Sequence, residues 1–341
     1  MTELSCSNPD CRIAETGKCV EGLEISACPH QKKTDGVSNT ATPEIVKDES
    51  KASLEHVDVL IASGDVLTIS EATDVLCSGP SRVISVIGPQ DAGKTTFGLS
   101  LYEAFQNGSF NTCSFAGSLT LPAFEQRCHN ARVESRREHP ETPRTSLSDG
   151  LGFLHLAIRS NGAERIELLI SDRAGEYYTA VANSEENCDS LHEVSRADNV
   201  LFFLDGNKFA SNERHGIKHE LLMSIATLVE NNVLSTGHQV SLVLSKFDKI
   251  VSLDNFEQIE KEFAKLTKNI RDRFGTQLGE IKSYKIAARS ENNAVETRFG
   301  VFDILADCLR PRERIVHQPK SSQTFERSYH RLPETTGGQN K

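Results

Sequence analysis

Residues 88–95 read Gly88-Pro-Gln-Asp-Ala-Gly-Lys-Thr95, a full match to G-x-x-x-x-G-K-[ST]. The residue types have a direct physical purpose. Glycines permit backbone dihedrals that turn successive N–H groups inward, and such a nest of donors suits an anion. The stretch before it, RVISVIG (82–88), is a short β-branched run, and helical spacing follows from 93 to about 107. A helix starting at Gly93 aims its positive end at the same place. Chance is the alternative explanation of the motif, and the strand–loop–helix setting argues against it. Gly88, Gln90, Asp91, Ala92, Gly93, Lys94, Thr95 and Thr96 are therefore the candidate phosphate-binding set. Lys94 is placed to reach the β- and γ-phosphates, and the Thr95 hydroxyl to bind Mg²⁺.

Outward from this loop, strand and helix signals alternate. GFLHLAI (152–158) and IELLISD (166–172) are strands close enough to pair antiparallel. NVLFFL (199–204) is an apolar strand after its first residue, helical spacing covers 216–231, VSLVL (240–244) is a strand, 254–275 is helical, SYKIAA (283–288) is a last strand, and 299–309 closes as a helix. This alternation predicts an α/β fold, a three-layer sandwich around a mainly parallel sheet. More than forty residues between the first helix and GFLHLAI show weak periodicity, which is long for a loop in a compact domain. They carry Arg127, His129, Arg132, Arg136, Arg137, His139 and Arg144.

Two further motifs follow the first in order. Asp172-Arg-Ala-Gly175 ends an apolar strand. A carboxylate there can hold Mg²⁺, usually through water, and the Gly175 N–H can meet a γ-phosphate. Ser245-Lys246-Phe247-Asp248 ends the VSLVL strand. The Asp248 carboxylate would accept from guanine N1–H and its exocyclic amine, a donor pair adenine lacks, while the Lys246 stem packs on base and ribose. At the end of the last strand, the Ala288 N–H is a candidate donor to the guanine carbonyl. An ordinary charged turn is the alternative for SKFD, and its third place in the series favours guanine.

P-loop, DxxG, [ST]KxD and a small-residue strand end, in that order, resemble the translation-factor-like P-loop GTPases over about 82–309. A closer resemblance is to the second-type bacterial double-GTPase domains of GTPase-associated conflict systems. It rests on GPQDAGKTT, SFAGSLTL (114–121), PRTS…GFLHLAI (143–158), SDRAGE (171–176) and a Cys-rich start containing GKCVEG…CPH. The resemblance implies a GTP-hydrolysing switch using Mg²⁺ held by Thr95, Thr145 and Asp172. Thr145 is its switch threonine, with Thr142 as competitor, and Lys94, Thr145 and Glu176 are its catalytic set. It also implies a protein partner or a second GTPase subunit. Glu176 stands where Ras-like relatives carry a water-orienting Gln, which points to slow hydrolysis without a partner. Ser245 replaces the usual Asn or Thr. Asp91 occupies a position that some relatives use to help bind potassium. The arginines of the long interval raise a cis-supplied finger, with a solvated basic loop as the simpler account.

Cys6, Cys11, Cys19 and Cys28, with His30, crowd the first residues of a chain with nine cysteines. So short a segment cannot bury a core, and zinc with Cys28 or His30 as its fourth ligand would order it, with chance clustering as the alternative because no C-x₂-C pair is present. The chain is accordingly parsed as a Cys-rich segment (1–31), a polar linker (32–53), a P-loop domain with a long insertion at 108–145 (54–310), and a disordered tail (311–341). The net charge of −10 among 341 residues argues against bulk nucleic-acid binding. No apolar run reaches membrane-spanning length and no signal peptide is evident, so a cytoplasmic location is expected. Two other functions remain compatible with the loop: an ATP-using P-loop enzyme, and a non-catalytic nucleotide-bound scaffold.

Overall fold

Apolar strands alternating with amphipathic helices have one economical solution, a sheet covered on both faces. The computed structural model describes residues 63–108, 113–131, 150–160, 164–182, 188, 190–290 and 294–310. The proposed Cys-rich segment, linker and tail, Thr142, Thr145, and the arginines and histidine at 132–144 lie outside the described residues. A first helix, α1 (Ile69–Ser78), opens on a capping box in which Thr68 and Glu71 exchange hydrogen bonds. Strand β1 (Ser81–Ile87) then leads through the loop into α2 (Lys94–Gln106). Next come β2 (Cys113–Gly117), α3 (Leu121–Ala131), β3 (Gly152–Ser160), β4 (Arg165–Asp172) and α4 (Gly175–Ala182). Short α5 (His192–Ser195) precedes β5 (Asn199–Leu204), α6 (Gly206–Ala210), α7 (Arg214–Glu230) and β6 (Gln239–Leu244). The domain ends with α8 (Phe247–Val251), α9 (Phe256–Leu278), β7 (Ile281–Lys285) and α10 (Val301–Leu309).

Seven strands form one sheet in the order β2-β3-β4-β1-β5-β6-β7. Strand β1 pairs parallel with both β4 and β5, and β5-β6-β7 continue parallel. As expected, β3 and β4 pair antiparallel, and β2 adds an antiparallel edge. One face packs Phe97, Leu101, Phe105, Phe124 and Ile304. The other packs Val75, Tyr178, Phe209, Ile225 and Ile270. This is the expected three-layer α/β architecture. Because the chain leaves β1 toward β4 on one side and returns through β5 on the other, the crevice beyond β1 is a topological switch point. Ligands of open α/β sheets bind in such a crevice, and the 88–95 loop lies there.

Besides adding helices α1, α4, α5, α6 and α8 to those expected, the structure differs from the sequence expectation in two places. The last strand begins at Ile281, because the buried Ile281 pairs with Val240, while Ala287 leaves the sheet to bridge Phe299. The long interval also contains regular structure, β2 and α3. Strand β2 has no fully buried residue, so it carries no alternation to read. Helix α3 buries Ala123, Phe124 and Cys128 among polar residues, too few for a conspicuous stripe.

Candidate functional site

The buried end of β1 delivers the loop. Gly93 is left-handed (φ 85°) and caps α2 without a side-chain hydrogen bond, leaving the helix start to backbone N–H groups that suit an anion. Asp91 is also left-handed (φ 62°), which Asp tolerates better than most residues. Lys94 folds back across the loop, and its Nζ donates to the carbonyls of Gly88 and Pro89, both at 2.8 Å. Burial lowers its pKa to about 8, against the opposing pull of Asp172, Glu176 and Asp91. The ammonium is thus held at the loop in a partly desolvated setting, where a phosphate would gain most from it.

Asp172 arrives at the end of β4, beside β1. Its Oδ1 accepts from the Thr95 hydroxyl at 3.4 Å. Hydroxyl and carboxylate oxygens converging at a helix start are the hard donors Mg²⁺ prefers. Among the described residues no three His, Cys, Asp or Glu side chains come together as a metal cage. Mg²⁺ in nucleotide sites is commonly held by one or two protein oxygens plus substrate phosphates. The other carboxylate oxygen, Oδ2, is paired with Arg127 of α3 at 3.1 Å.

Gly175 lies directly against the loop. A Cβ built on it would stand 2.6 Å from Gln90 N and from the Pro89 carbonyl carbon, and 2.8 Å from Lys94 Nζ. Only a residue without a side chain fits. Glu176 is exposed at the start of α4 and near enough to Lys94 to favour its charge.

Arg173, next to Asp172, points elsewhere. Its Nε lies 3.1 Å from Glu193 Oε1, off the direction of a hydrogen bond. Its guanidinium covers the Tyr177 ring at 4.0 Å and donates to Ser190 O. Tyr178 O–H also donates to Glu193. Burial raises the pKa of Glu193 although Arg173 lowers it. Arg173 therefore anchors the segment after Asp172.

At the β6 end, the Ser245 hydroxyl donates to Leu204 O and its side chain faces Gly93, with an ideal Cβ there 3.8 Å from Ser245 Cβ. The two loops are neighbours. Lys246 is left-handed (φ 52°), and its Nζ pairs with Asp205 Oδ2 at 2.8 Å. Asp205 in turn caps α6 through Asn207 N and Lys208 N. Asp248 is buried in α8. Phe247 stacks on Phe299 at 5.5 Å, and Ala288 packs partly buried against the core beside Ile286. The structure thus gathers Gly88–Thr96, Asp172, Gly175 and Glu176 at the end of β1, with Ser245–Asp248 alongside. Cys6, Cys11, Cys19, Cys28 and Thr145 lie outside the described residues.

Three residues beyond the sequence candidates shape this site: Asp205, Arg127 in its role at Asp172, and His155. The last two are linked only through the start of α3. His155 Nδ1 accepts from Leu119 N at 2.9 Å, which leaves Nε2–H to donate to Glu167 at 2.8 Å. Ser118 and Thr120 hydroxyls donate to His155 O. This buried network fixes the turn that launches α3. Proximity of Phe124, Arg127 and Cys128 at helical spacing was the one available sequence signal.

The model of the family described as Double-GTPase 2 matches residues 82–309, the span from β1 to α10, and the chain belongs to that family. No curated protein matches the chain.

Proposed function

We propose that this member of the Double-GTPase 2 family binds GTP with Mg²⁺ and hydrolyses it as a molecular switch. The observation that carries this reading is convergence. The 88–95 loop, the Thr95–Asp172 contact at 3.4 Å and the Gly175 approach at 2.6 Å lie together, with Ser245–Asp248 next to Gly93. In this reading Lys94 exchanges its loop carbonyls for phosphate oxygens. Gly88, Gln90, Asp91, Ala92, Gly93 and Thr96 line the phosphates. Thr95 and Asp172 hold Mg²⁺, which when bound neutralises charge on the terminal phosphates. Gly175 N–H meets the γ-phosphate, and Asp248, Lys246 and Ala288 read the guanine. Thr145 completes the metal site and senses the γ-phosphate. Glu176 accepts the proton of the attacking water. GTP orders the segments around Thr145 and 172–176, and hydrolysis releases them. A partner protein or a second GTPase subunit reads that change, in keeping with the resemblance to conflict-system GTPases, and Cys6, Cys11, Cys19 and Cys28 hold zinc in a docking head.

Glu176 also favours a second reading. An ionised carboxylate repels phosphate and cannot donate to it, which suits a GTP-bound scaffold with little turnover. Single-turnover assays separate the two. The switch requires Mg²⁺-dependent GTP cleavage, with a thousandfold excess of ATP failing to compete. Equal competition by ATP removes the guanine assignment, and tight GTP binding without cleavage, with or without partner proteins, leaves the scaffold.

A further inference from the structure

We propose that Arg127 is a positioning residue for the metal site: by holding one oxygen of Asp172, it presents the other to Thr95 and the ion. This inference rests on the GTP–Mg²⁺ reading above and assigns a part of its machinery that no motif contains.

The carboxylate of Asp172 is divided. Oδ2 is paired with Arg127 Nη2 at 3.1 Å, and Oδ1 faces the Thr95 hydroxyl at 3.4 Å. A carboxylate tied on one oxygen has lost the rotation that would exchange its two oxygens, so its metal-facing atom is set before an ion arrives. Outer partners of this kind fix ligand orientation and tune the metal in many sites.

Arg127 is itself fixed. Its Nη1 donates to Ala123 O, one turn back on α3. The helix is secured on several sides. Phe124 stacks on Tyr102 of α2 at 4.7 Å, and Glu125 accepts from Tyr102 O–H and from Gln106. The turn before α3 is tied to His155 and Glu167 through Ser118, Leu119 and Thr120. Ala123 N also donates to Gly64 O. A guanidinium on a rigid helix is a support held in place, unlike one on a loop that must first be ordered. The nearer candidate by sequence, Arg173, is committed to Glu193. Repulsion between guanidinium and metal does not defeat the arrangement, because a triphosphate brings more negative charge than Mg²⁺ removes.

The test is the Mg²⁺ demand of nucleotide retention. Release of a fluorescent GTP analogue from the full chain is followed across buffered free Mg²⁺, for wild type, Arg127→Ala and Arg127→Lys. For Arg127→Ala, the Mg²⁺ concentration giving half-maximal slowing of release rises about 10- to 100-fold, and affinity for the analogue falls less in EDTA than at the Mg²⁺ concentration that half-saturates the wild type. Arg127→Lys, which keeps the charge and loses the planar fork, recovers part of the shift. It also serves should the alanine variant fail to fold by circular dichroism. An unchanged Mg²⁺ demand in both variants overturns the proposal. So does a lowered demand, which would make the guanidinium a competitor of the ion. Slower hydrolysis at unchanged Mg²⁺ demand also overturns it, since Arg127 would then act on the transition state. Failure of the wild-type chain to bind the analogue at all refutes the GTP reading instead.

Discussion

On the β4 flank of β1, four elements send charged groups to one point: Lys94 from α2, Arg127 from α3, Asp172 from β4 and Glu176 from α4. On the β5 flank, Lys246 pairs with Asp205, and rings do much of the remaining work, with Phe247 stacked on Phe299. On the proposed function, the contrast follows from what each flank would meet. A triphosphate and a cation demand balanced charge within a few ångströms, where each group changes the energy of the next. A base demands a flat slot and one correctly aimed acceptor. Substitutions on the first flank should therefore be severe and non-additive. Those on the second should chiefly alter which base is chosen.

The harshest way to break the first flank is Lys94→Ala. It removes a partly desolvated cation and leaves two loop carbonyls without their ammonium donor. Truncating one member of a buried charged contact costs about 4 kcal/mol, or roughly a thousandfold in Kd. Isothermal titration with GTP and Mg²⁺ should show that loss, while the unliganded protein melts no lower. Relief of the lysine's desolvation explains the second half of the expectation. The same residue gives a pH test. With its pKa at about 8 in the free protein, Lys94 loses its proton as pH rises above that value, and GTP affinity should weaken about tenfold per pH unit there. Stability of the unliganded chain moves the other way. A depressed lysine pKa means the unfolded chain binds more protons between about 8 and 10.5, so this group's contribution to stability rises with pH across that window.

Gly175→Ala comes next. The added methyl would meet loop backbone 2.6 Å away, and backbone cannot yield as a side-chain end would. The start of α4 must lift from the loop, at about 1–3 kcal/mol of strain. Single-turnover hydrolysis should fall by roughly a hundredfold, the equivalent of about 2.7 kcal/mol, with a smaller loss in GTP binding. Equal hydrolysis in the variant would show that contact between Gly175 and the loop has no part in the chemistry.

The two flanks were also unequally legible from sequence. Lys94, Thr95, Asp172 and Gly175 announce themselves because backbone geometry and phosphate chemistry leave few alternatives at those positions. β1, β5 and β6 were legible because strands buried on both faces read as short, mainly apolar runs. Arg127 was visible only as one basic residue with two apolar neighbours at helical spacing in an otherwise irregular stretch. Its importance depends on α3 and on an edge strand, β2, that keeps Phe115 partly exposed. Neither element shows strong periodicity, since tertiary hydrogen bonds from His155 and neighbours hold them in place. Arg173 misleads in the opposite sense. It sits beside Asp172 in sequence, but successive residues leaving a strand diverge, and Glu193 is what it meets.

A substitution that alters the choice of base sharpens the second flank. Asp248→Asn keeps shape and burial and exchanges a carboxylate oxygen for an amide donor. Losing charge-assisted acceptance from guanine should cost about 2–3 kcal/mol, near a hundredfold in GTP affinity. Xanthine has a carbonyl where guanine has its exocyclic amine, and an asparagine amide can donate to it. The variant should therefore gain affinity for xanthosine triphosphate as it loses affinity for GTP, with Mg²⁺ demand and pH response unchanged. Competition of the two nucleotides against a fluorescent analogue measures the exchange directly. If GTP and xanthosine triphosphate weaken together, Asp248 supports the loop without reading the base. Reversal of preference at constant Mg²⁺ demand would show that the base flank selects the nucleotide independently of the charged flank that holds its phosphates.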